Sequence, residues 1–278
     1  MSQETQPFFI VSSGRSGTAM LHKALSAAGD IEMHHEYMVH ITQKLAVRRY
    51  MGLADGTEVG EALASTHGAA VRYSEAAHWG DSSNKLSWLI PDIAPLLPRA
   101  KFVHLIRDGR KVASSYFHKL GDECYDDRST SIFQEYYDNP RYVPMPPPEK
   151  KYWWPLPRHS DPRAAAFRKF DRFERIAWHW AEINREISRA LAALAPERSI
   201  FLRLEDLRES EAAARALYDF LNLPYRKENF SMFERPHNVN RPEDRLLDET
   251  QRFRFDAIAG GAMESFGYAS RAEYVVNY

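Results

Sequence analysis

Short apolar runs alternate along the chain with stretches in which apolar residues recur every three or four positions. Residues 8–11 form a β-branched and aromatic run, a polar turn follows at 12–18, and helical spacing then continues to Gly29. The same order recurs further on, where an apolar run over 101–106 precedes a polar turn and a helical pattern that reaches Lys119. The pattern predicts strands that alternate with helices.

Two further segments support this pattern. A third strand is predicted over residues 200–204, followed by a helix over about 210–221. From 167 to 194 apolar residues recur in steps of three and four, which predicts one long helix with its apolar face against the core. Strands that alternate with helices imply a parallel sheet with helices on both faces, so we expect an α/β fold.

The segment 121–163 has neither a helical nor a strand period. It contains eight prolines and many aromatic residues, a composition that disfavours regular helices and strands. We predict a long ordered excursion or lid here. Residues 1–278 then form a single domain in which this segment is the lid or acceptor-binding insertion.

Composition and charge exclude several classes of protein. The 278 residues carry 37 Lys and Arg against 38 Asp and Glu, so no overall field points to nucleic acid or to an anionic membrane. Cys124 is the only cysteine, which excludes an intramolecular disulfide and multi-cysteine metal centres and favours a reducing cytoplasm. The first apolar run is too short for a signal peptide or a membrane span, and we expect no membrane insertion. Nothing in the sequence indicates an oligomeric state.

The first turn has the composition of an anion-binding loop. A glycine-bearing turn between a strand and a helix presents main-chain N–H groups and the positive end of the helix dipole. The nucleotide-binding version carries a Lys before the Ser or Thr, but here Thr18 directly follows Gly17 and the cation is Arg15. This weakens an ATP or GTP interpretation, and the turn alone is also compatible with a plain structural connection.

The second turn changes the interpretation of the first. Arg107 leaves the predicted strand 101–106 at its carboxyl end, and Ser115 lies eight residues on, a little over two helical turns. In a parallel sheet both turns open on the carboxyl edge, where ligands bind. One ligand with two separate anionic groups satisfies both turns.

Taken together, the two turns resemble the donor-binding motifs of the PAPS-dependent sulfotransferases, which use 3'-phosphoadenosine 5'-phosphosulfate (PAPS). Residues 11–18, Val-Ser-Ser-Gly-Arg-Ser-Gly-Thr, resemble the 5'-phosphosulfate loop, and residues 107–115 resemble the 3'-phosphate motif. The resemblance implies a P-loop-like three-layer sandwich with a central parallel sheet, PAPS as co-substrate and no metal. It assigns the two phosphate-bearing ends of the donor to the following residues: Gly14, Arg15, Ser16, Gly17 and Thr18 for the 5'-phosphosulfate, and Arg107 and Ser115 for the 3'-phosphate.

The family also implies candidates for the base and for the cation on the leaving group. The histidine-base branch carries Lys-Thr-His, where this chain has Lys85-Leu86-Ser87, so the Lys is kept and the His is not. The tyrosylprotein and heparan branches use a glutamate shortly after the first helix, which corresponds to Glu36. The resemblance therefore implies Glu36 as catalytic base and Lys85 as the cation on the leaving oxygen.

Alternatives to Glu36 remain open at this point. Glu36 is also compatible with a solvated carboxylate or a helix cap, and His34 or His35 needs less pKa tuning than a carboxylate to act as the base. A metal site made by Glu36 with His34, His35 and His40 matches no zinc spacing, and polar side chains at a helix entry explain these residues without a metal.

The resemblance implies an acceptor hydroxyl on a small molecule, a carbohydrate or a peptidyl tyrosine, and the sequence does not identify which. Residues 141–175 carry nine Lys or Arg against four acids, a surplus that faces either an anionic acceptor or solvent. Residues 152–154, Tyr-Trp-Trp, either form an apolar wall over the acceptor or anchor the long segment to the core.

Two other hypotheses are a P-loop kinase, which needs magnesium and ATP, and a non-catalytic protein that binds the product PAP. Leu204 departs from the family, where an aromatic often stands, and adenine contacts stay unassigned.

Overall fold

The computed structural model describes residues 4–234 and 246–271. Its centre is a five-stranded sheet in the order β2-β3-β1-β4-β5, in which every neighbouring pair is parallel. The strands are β1 Gln6–Val11, β2 Ile31–His35, β3 His78–Ser82, β4 Lys101–Ile106 and β5 Ser199–Arg203. Parallel order brings the carboxyl ends of all five strands to one edge of the sheet.

Helices cover both faces of this sheet. In chain order they are α1 Thr18–Ser26, α2 Val39–Tyr50, α3 Gly56–Leu63, α4 Ala69–Tyr73, α5 Ile90–Leu96, α6 Gly109–Lys119, α7 Asp127–Asp138, α8 Ala164–Phe167, α9 Arg172–Ala192, α10 Leu204–Glu209, α11 Glu211–Leu221, α12 Lys227–Glu234 and α13 Glu249–Ser265. A π-helical turn, Ala64–Gly68, joins α3 to α4. None of the helices in the described ranges is long and apolar enough to span a membrane.

Two hydrophobic cores lie on opposite faces of the sheet, and β1 contributes to both because its side chains alternate. Phe9 and Val11 pack into the larger core, with α9 and α13, whereas Phe8 and Ile10 pack into the smaller one, with α1 and α11. All four side chains are fully buried. The result is the predicted three-layer α/β sandwich.

The predicted strands and helices are confirmed where the apolar pattern is strong. The strand over 101–106 has the predicted limits, and the strand predicted over 200–204 runs from Ser199 to Arg203. β2 and β3 are not apparent in the pattern. β2 is a half-exposed edge strand, and β3 reads His-Trp-Gly-Asp-Ser, with no β-branched residue. Gly80 in β3 is fixed by packing, because a Cβ there would lie 2.3 Å from the Phe8 ring.

The long helix begins five residues later than its apolar spacing suggests. Asp171 caps α9, and its side chain and that of Glu174 form a reciprocal capping box. The preceding segment contains a further helix, α7, that was not predicted from the sequence. Trp153 and Trp154 are buried in the larger core, so they anchor the segment to the domain.

Candidate active site

The first turn presents main-chain N–H groups at the carboxyl end of β1, in a ring that residues 14–18 form. Gly14, Arg15 and Gly17 have positive φ angles of 80°, 54° and 92°, so the main chain turns tightly here. Within the described part of the chain, the amides of residues 15–18 make no hydrogen bond to protein. Four unsatisfied donors at the start of α1 fit an anionic group.

Close packing beneath the turn leaves no room for side chains at its glycines. A Cβ on Gly14 would lie 2.1 Å from the Tyr116 hydroxyl, and one on Gly17 would lie 2.7 Å from Leu204 Cδ1. The Tyr116 hydroxyl donates to the Ser13 carbonyl at 2.8 Å. Ser13 and Ser16 hold the turn from inside, with their hydroxyls 3.0 Å apart. The ring is therefore fixed before any ligand arrives.

Two hydrogen bonds join the second turn to the first. The Nη1 atom of Arg107 donates to the Arg15 carbonyl at 3.1 Å, and Arg15 Nε donates to Ser115 Oγ at 3.0 Å. Arg107 follows β4, and Ser115 lies on α6. The structure thus brings together both predicted anion sites at one edge of the sheet, with two guanidinium groups and one hydroxyl between them.

A buried carboxylate holds the second turn in place. Glu205 Oε1 accepts a hydrogen bond from the Asp108 amide at 2.9 Å, and Glu205 Oε2 accepts one from the Tyr268 hydroxyl at 2.8 Å. Burial raises the pKa of Glu205 above its usual value, and the two donors oppose that shift. Trp180 Nε1 donates to the Arg107 carbonyl at 3.1 Å. The main chain at Arg107 and Asp108 is therefore held from α10 and from α9.

Lys85 is a buried cation beside these turns. The pKa of its ammonium group is lowered to about 8, chiefly by burial; the Glu36 carboxylate opposes this shift and the Lys150 charge adds to it. Its Nζ lies 5.3 Å from the centre of the Trp154 ring, a cation–π contact. The structure therefore brings Glu36 and Lys85 within electrostatic reach of each other.

Glu36 lies in the turn between β2 and α2, in an unusual main-chain conformation. Its φ angle is 57°, in the left-handed region that costs a non-glycine residue about 1–2 kcal/mol. Its amide donates to the Ser82 carbonyl, and its own carbonyl accepts from the Val39 amide, both at 3.1 Å. Backbone strain of this kind is concentrated at functional sites. The helix-cap alternative does not describe Glu36, because α2 begins after Met38.

The nearby histidines differ in their partners. His34 Nε2 lies 3.0 Å from Glu32 Oε1. His35 Nδ1 lies 2.9 Å from the Ser82 carbonyl, which can only accept, so His35 donates there. His40 is exposed on α2. His34 and His35 end strand β2, so the sequence interpretation of them as residues of a helix entry is wrong. Among the described residues no group of His, Cys, Asp and Glu has a metal-binding arrangement.

Ser87 stands where the histidine-base branch has its histidine, and here it is structural. Its Oγ accepts from the Ser12 amide at 3.0 Å and donates to the Ser12 carbonyl at 2.9 Å. Ser87 is buried and ties the segment after Lys85 to the base of the first turn.

Two site residues could not be identified from the sequence alone: Tyr116 and His179. His179 lies on α9 against the Trp154 ring, and burial, together with the Lys85 charge, lowers its pKa to about 3. Its Nδ1 lies 3.2 Å from the Tyr125 hydroxyl. The Trp154 ring thus contacts the Lys85 ammonium, and the His179 imidazole, with its lowered pKa, lies within electrostatic reach of it. The only sequence signal for Tyr116 is its position directly after Ser115.

Most of the Lys and Arg side chains between residues 141 and 175 contact other groups of the protein. Five of the nine cations between 141 and 175 contact carboxylates or carbonyls of the chain, namely Arg158, Arg163, Arg168, Arg172 and Arg175. In the described ranges Lys150 and Lys151 have no carboxylate partner, and Lys150 Nζ lies 6.0 Å from the Trp154 ring centre. A separate cleft of about 740 Å³ between α2, α5 and α9 includes neither turn, nor Glu36, nor Lys85.

One family of known proteins matches part of this chain in sequence. Residues 7–139, just under half of the chain, match the sequence model of the Sulfotransferase family, and this range contains both turns, Glu36 and Lys85. A comparison with curated protein sequences gives no match. The match confirms the resemblance to sulfotransferases that the two turns carry.

Solved structures share the fold at low sequence identity. A sulfotransferase from Alicyclobacillus acidocaldarius is 15% identical with a TM-score of 0.53, over 95% of this chain and 96% of that one. The sulfotransferase domain from the Synechococcus PCC 7002 olefin synthase is 14% identical with a TM-score of 0.51, over 96% of both chains. The three-layer fold is that of sulfotransferase domains.

Proposed function

We propose that this protein transfers the sulfuryl group of PAPS to an acceptor hydroxyl. The observation that carries the proposal is the pair of hydrogen bonds between the two anion turns, from Arg15 to Ser115 and from Arg107 to the Arg15 carbonyl. They support one ligand with two separate anionic groups, and PAPS has a 5'-phosphosulfate and a 3'-phosphate.

In this proposal each end of PAPS has its own set of donors. The amides of residues 15–18 and the Thr18 hydroxyl hold the 5'-phosphosulfate at the N-terminus of α1. Arg107 and Ser115 hold the 3'-phosphate, the guanidinium through charge-assisted hydrogen bonds. The PAPS sulfuryl group then points away from β4, towards the turn that carries Glu36.

The transfer step requires one base and one cation. The Glu36 carboxylate accepts the proton of the acceptor hydroxyl while the acceptor oxygen forms a bond to sulfur. The bond between sulfur and the bridging oxygen of the 5'-phosphate breaks, and PAP leaves with that electron pair. Lys85 stabilises the negative charge that develops on the bridging oxygen. We expect no metal to take part, because the sulfuryl group carries less charge than a terminal phosphoryl group.

The acceptor is proposed to be a hydroxylated small molecule, a carbohydrate or a peptidyl tyrosine. Lys150, from the segment before Trp153, lies near enough to Lys85 to lower its pKa. Its lack of a carboxylate partner in the described ranges supports an acceptor that carries an anionic group near the reacting hydroxyl.

A melting experiment in EDTA tests the donor assignment. A ligand that binds only the folded state stabilises it by about 2.7 kcal/mol at a hundred times its Kd. We expect PAP to raise the melting temperature without any divalent metal. In a parallel scan without EDTA, a shift with ATP and magnesium, while PAP gives none in either scan, would contradict the proposal and favour a kinase. Binding of PAP without transfer to any hydroxyl would favour a non-catalytic protein.

A further inference from the structure

Asp81 is a fully buried carboxylate in a mainly apolar environment. It lies on β3, on the face that packs into the larger core, two residues after the fully buried Trp79. Taking a carboxylate out of water is unfavourable, and a well-packed apolar side chain at such a position is often at least as stable. The contacts of Asp81 therefore need an explanation other than core stability.

The two oxygens of Asp81 contact two different segments. Oδ1 accepts a hydrogen bond from the Tyr37 amide at 3.2 Å, directly after Glu36. Oδ2 lies 3.4 Å from Nε2 of His67, which is also fully buried. The carboxylate thus joins the turn after β2 to the helical layer that covers the sheet.

His67 reaches Asp81 because the helix is interrupted there. It lies in the π-helical turn Ala64–Gly68, and turns of this type are frequent at functional sites. Its Nδ1 lies 3.2 Å from the hydroxyl of Thr66, so both ring nitrogens have partners. The Tyr37 ring meets the His67 ring edge-on, with ring centres 5.2 Å apart.

These contacts converge on the main chain at Glu36. The Glu36 amide is bound by Ser82, its carbonyl by Val39, and the next amide, that of Tyr37, by Asp81. Three fixed main-chain groups hold Glu36 in its left-handed conformation, with its carboxylate near Lys85. Without the Asp81 contact, the turn is free to relax towards a φ angle that is favourable for glutamate.

We propose that Asp81, supported by His67, is a positioning residue that holds the Glu36 carboxylate at Lys85. The inference rests on the proposed function, in which Glu36 is the base. Asp81 does not touch the substrate and acts through the main chain of residues 36 and 37.

The position of Glu36 can be read from the pKa of Lys85 without knowledge of the acceptor. A ¹³C-lysine NMR titration of the full-length protein gives this pKa, with Lys85→Met to assign the signal. Glu36→Gln should lower the Lys85 pKa, because the carboxylate raises it. Asp81→Leu should lower it by the same shift. Asp81→Asn keeps an oxygen that can accept from the Tyr37 amide and should leave the Lys85 pKa at its wild-type value.

A double variant and a control separate positioning from general destabilisation. Glu36→Gln/Asp81→Leu should show the shift of Glu36→Gln alone, since the second change has no carboxylate left to displace. Asp92→Leu, which removes another largely buried carboxylate, one that accepts from Arg49 at 3.0 Å, should leave the Lys85 pKa unchanged. If Asp81→Leu does not fold, Asp81→Ser, whose side chain is too short for the contact, takes its place.

Any of three outcomes would overturn the inference. The Lys85 pKa of Asp81→Leu could equal that of the wild type, the shifts in the Lys85 pKa could add in the double variant, or Glu36→Gln could leave the Lys85 pKa unchanged. The proposed function fails separately, if no sulfuryl group is transferred. With a competent acceptor, Asp81→Leu should lower kcat at least tenfold and leave the Kd for PAP within about threefold, and Asp81→Asn should restore kcat.

Discussion

The Arg15 guanidinium donates a hydrogen bond to Ser115 Oγ across 3.0 Å, although the two residues lie 100 positions apart in the chain. The bond joins the N-terminal end of α1 to α6. Because Arg107 Nη1 also binds the Arg15 carbonyl, the two anion turns form one rigid unit. Preorganisation of this kind reduces the entropy lost when a ligand binds both turns.

Arg107→Ala should weaken PAP binding much more than binding of adenosine 5'-phosphosulfate, which has no 3'-phosphate. A charge-assisted hydrogen bond contributes about 1.5–3 kcal/mol, and the variant loses it only where the phosphate exists. Titration calorimetry with both ligands measures the difference. Equal losses for the two ligands would assign Arg107 a purely structural role.

Gly14→Ala should abolish PAP binding, because the new Cβ would lie 2.1 Å from the Tyr116 hydroxyl and 2.7 Å from Asn84 Nδ2. The turn must shift, and its amides move with it. Gly52→Ala is the matched control, with a φ angle of 74° and no atom within 4 Å of the added Cβ. Both variants carry the strain of a positive φ angle, about 1–2 kcal/mol. In melting scans with and without PAP, the ligand should raise the melting temperature of Gly52→Ala but not that of Gly14→Ala. A rise in the melting temperature of Gly14→Ala with PAP would contradict the assignment of the turn.

Lys85→Met should stabilise the protein at pH 7 while it removes activity. Burial lowers the pKa of Lys85 from 10.5 to about 8, so at pH 7 the folded wild type holds a poorly solvated charge that the unfolded chain solvates freely. Between about pH 8 and 10.5 the unfolded wild type binds more protons, so wild-type stability rises with pH in this window. In melting scans from pH 7 to 10.5, the difference in melting temperature between Lys85→Met and the wild type should therefore become smaller as the pH rises. A lower melting temperature than wild type at pH 7 would contradict this account.

The sequence alone predicts those parts of the fold in which a buried, apolar strand leads directly into an anion-binding turn. β1 and β4 are apolar because they are buried on both faces, and each is followed by a turn whose glycines and arginines mark an anion site. The register that brings Val11 beside His104 could not be predicted, because nothing in either strand specifies its neighbour. The hydrogen bonds between Arg15, Arg107 and Ser115 follow from that register.

Other parts of the site depend on contacts between residues distant in sequence. Asp81 lies on a strand with no β-branched residue, and its partner His67 is placed by a π-helical turn that apolar spacing does not indicate. The positive φ angle of Glu36 is held by hydrogen bonds with Ser82 and Val39 and by the contact of Asp81 with the Tyr37 amide, and it has no local sequence signal. Trp154 could be interpreted either as an acceptor wall or as an anchor until its burial was known.

Glu36 and His35 are adjacent candidates for the base, and their variants separate them. Glu36→Gln keeps the size and hydrogen-bonding capacity of the side chain but removes the proton acceptor, so turnover should fall by roughly 10² to 10⁴. His35→Asn removes the imidazole of the rival and should keep most of the turnover. PAP should bind both variants like wild type, because the base contacts the acceptor and not the nucleotide.

The most direct measurement is transfer of radiolabelled sulfate from PAPS to a panel of phenolic, carbohydrate and tyrosyl-peptide hydroxyls in EDTA. The account predicts labelled sulfate ester and an equal amount of PAP with wild-type protein and His35→Asn, and a loss of both products with Glu36→Gln. Transfer that survives in Glu36→Gln and disappears in His35→Asn would move the base to the histidine. No transfer by the wild type to any hydroxyl, with PAP bound, would contradict the proposed function itself.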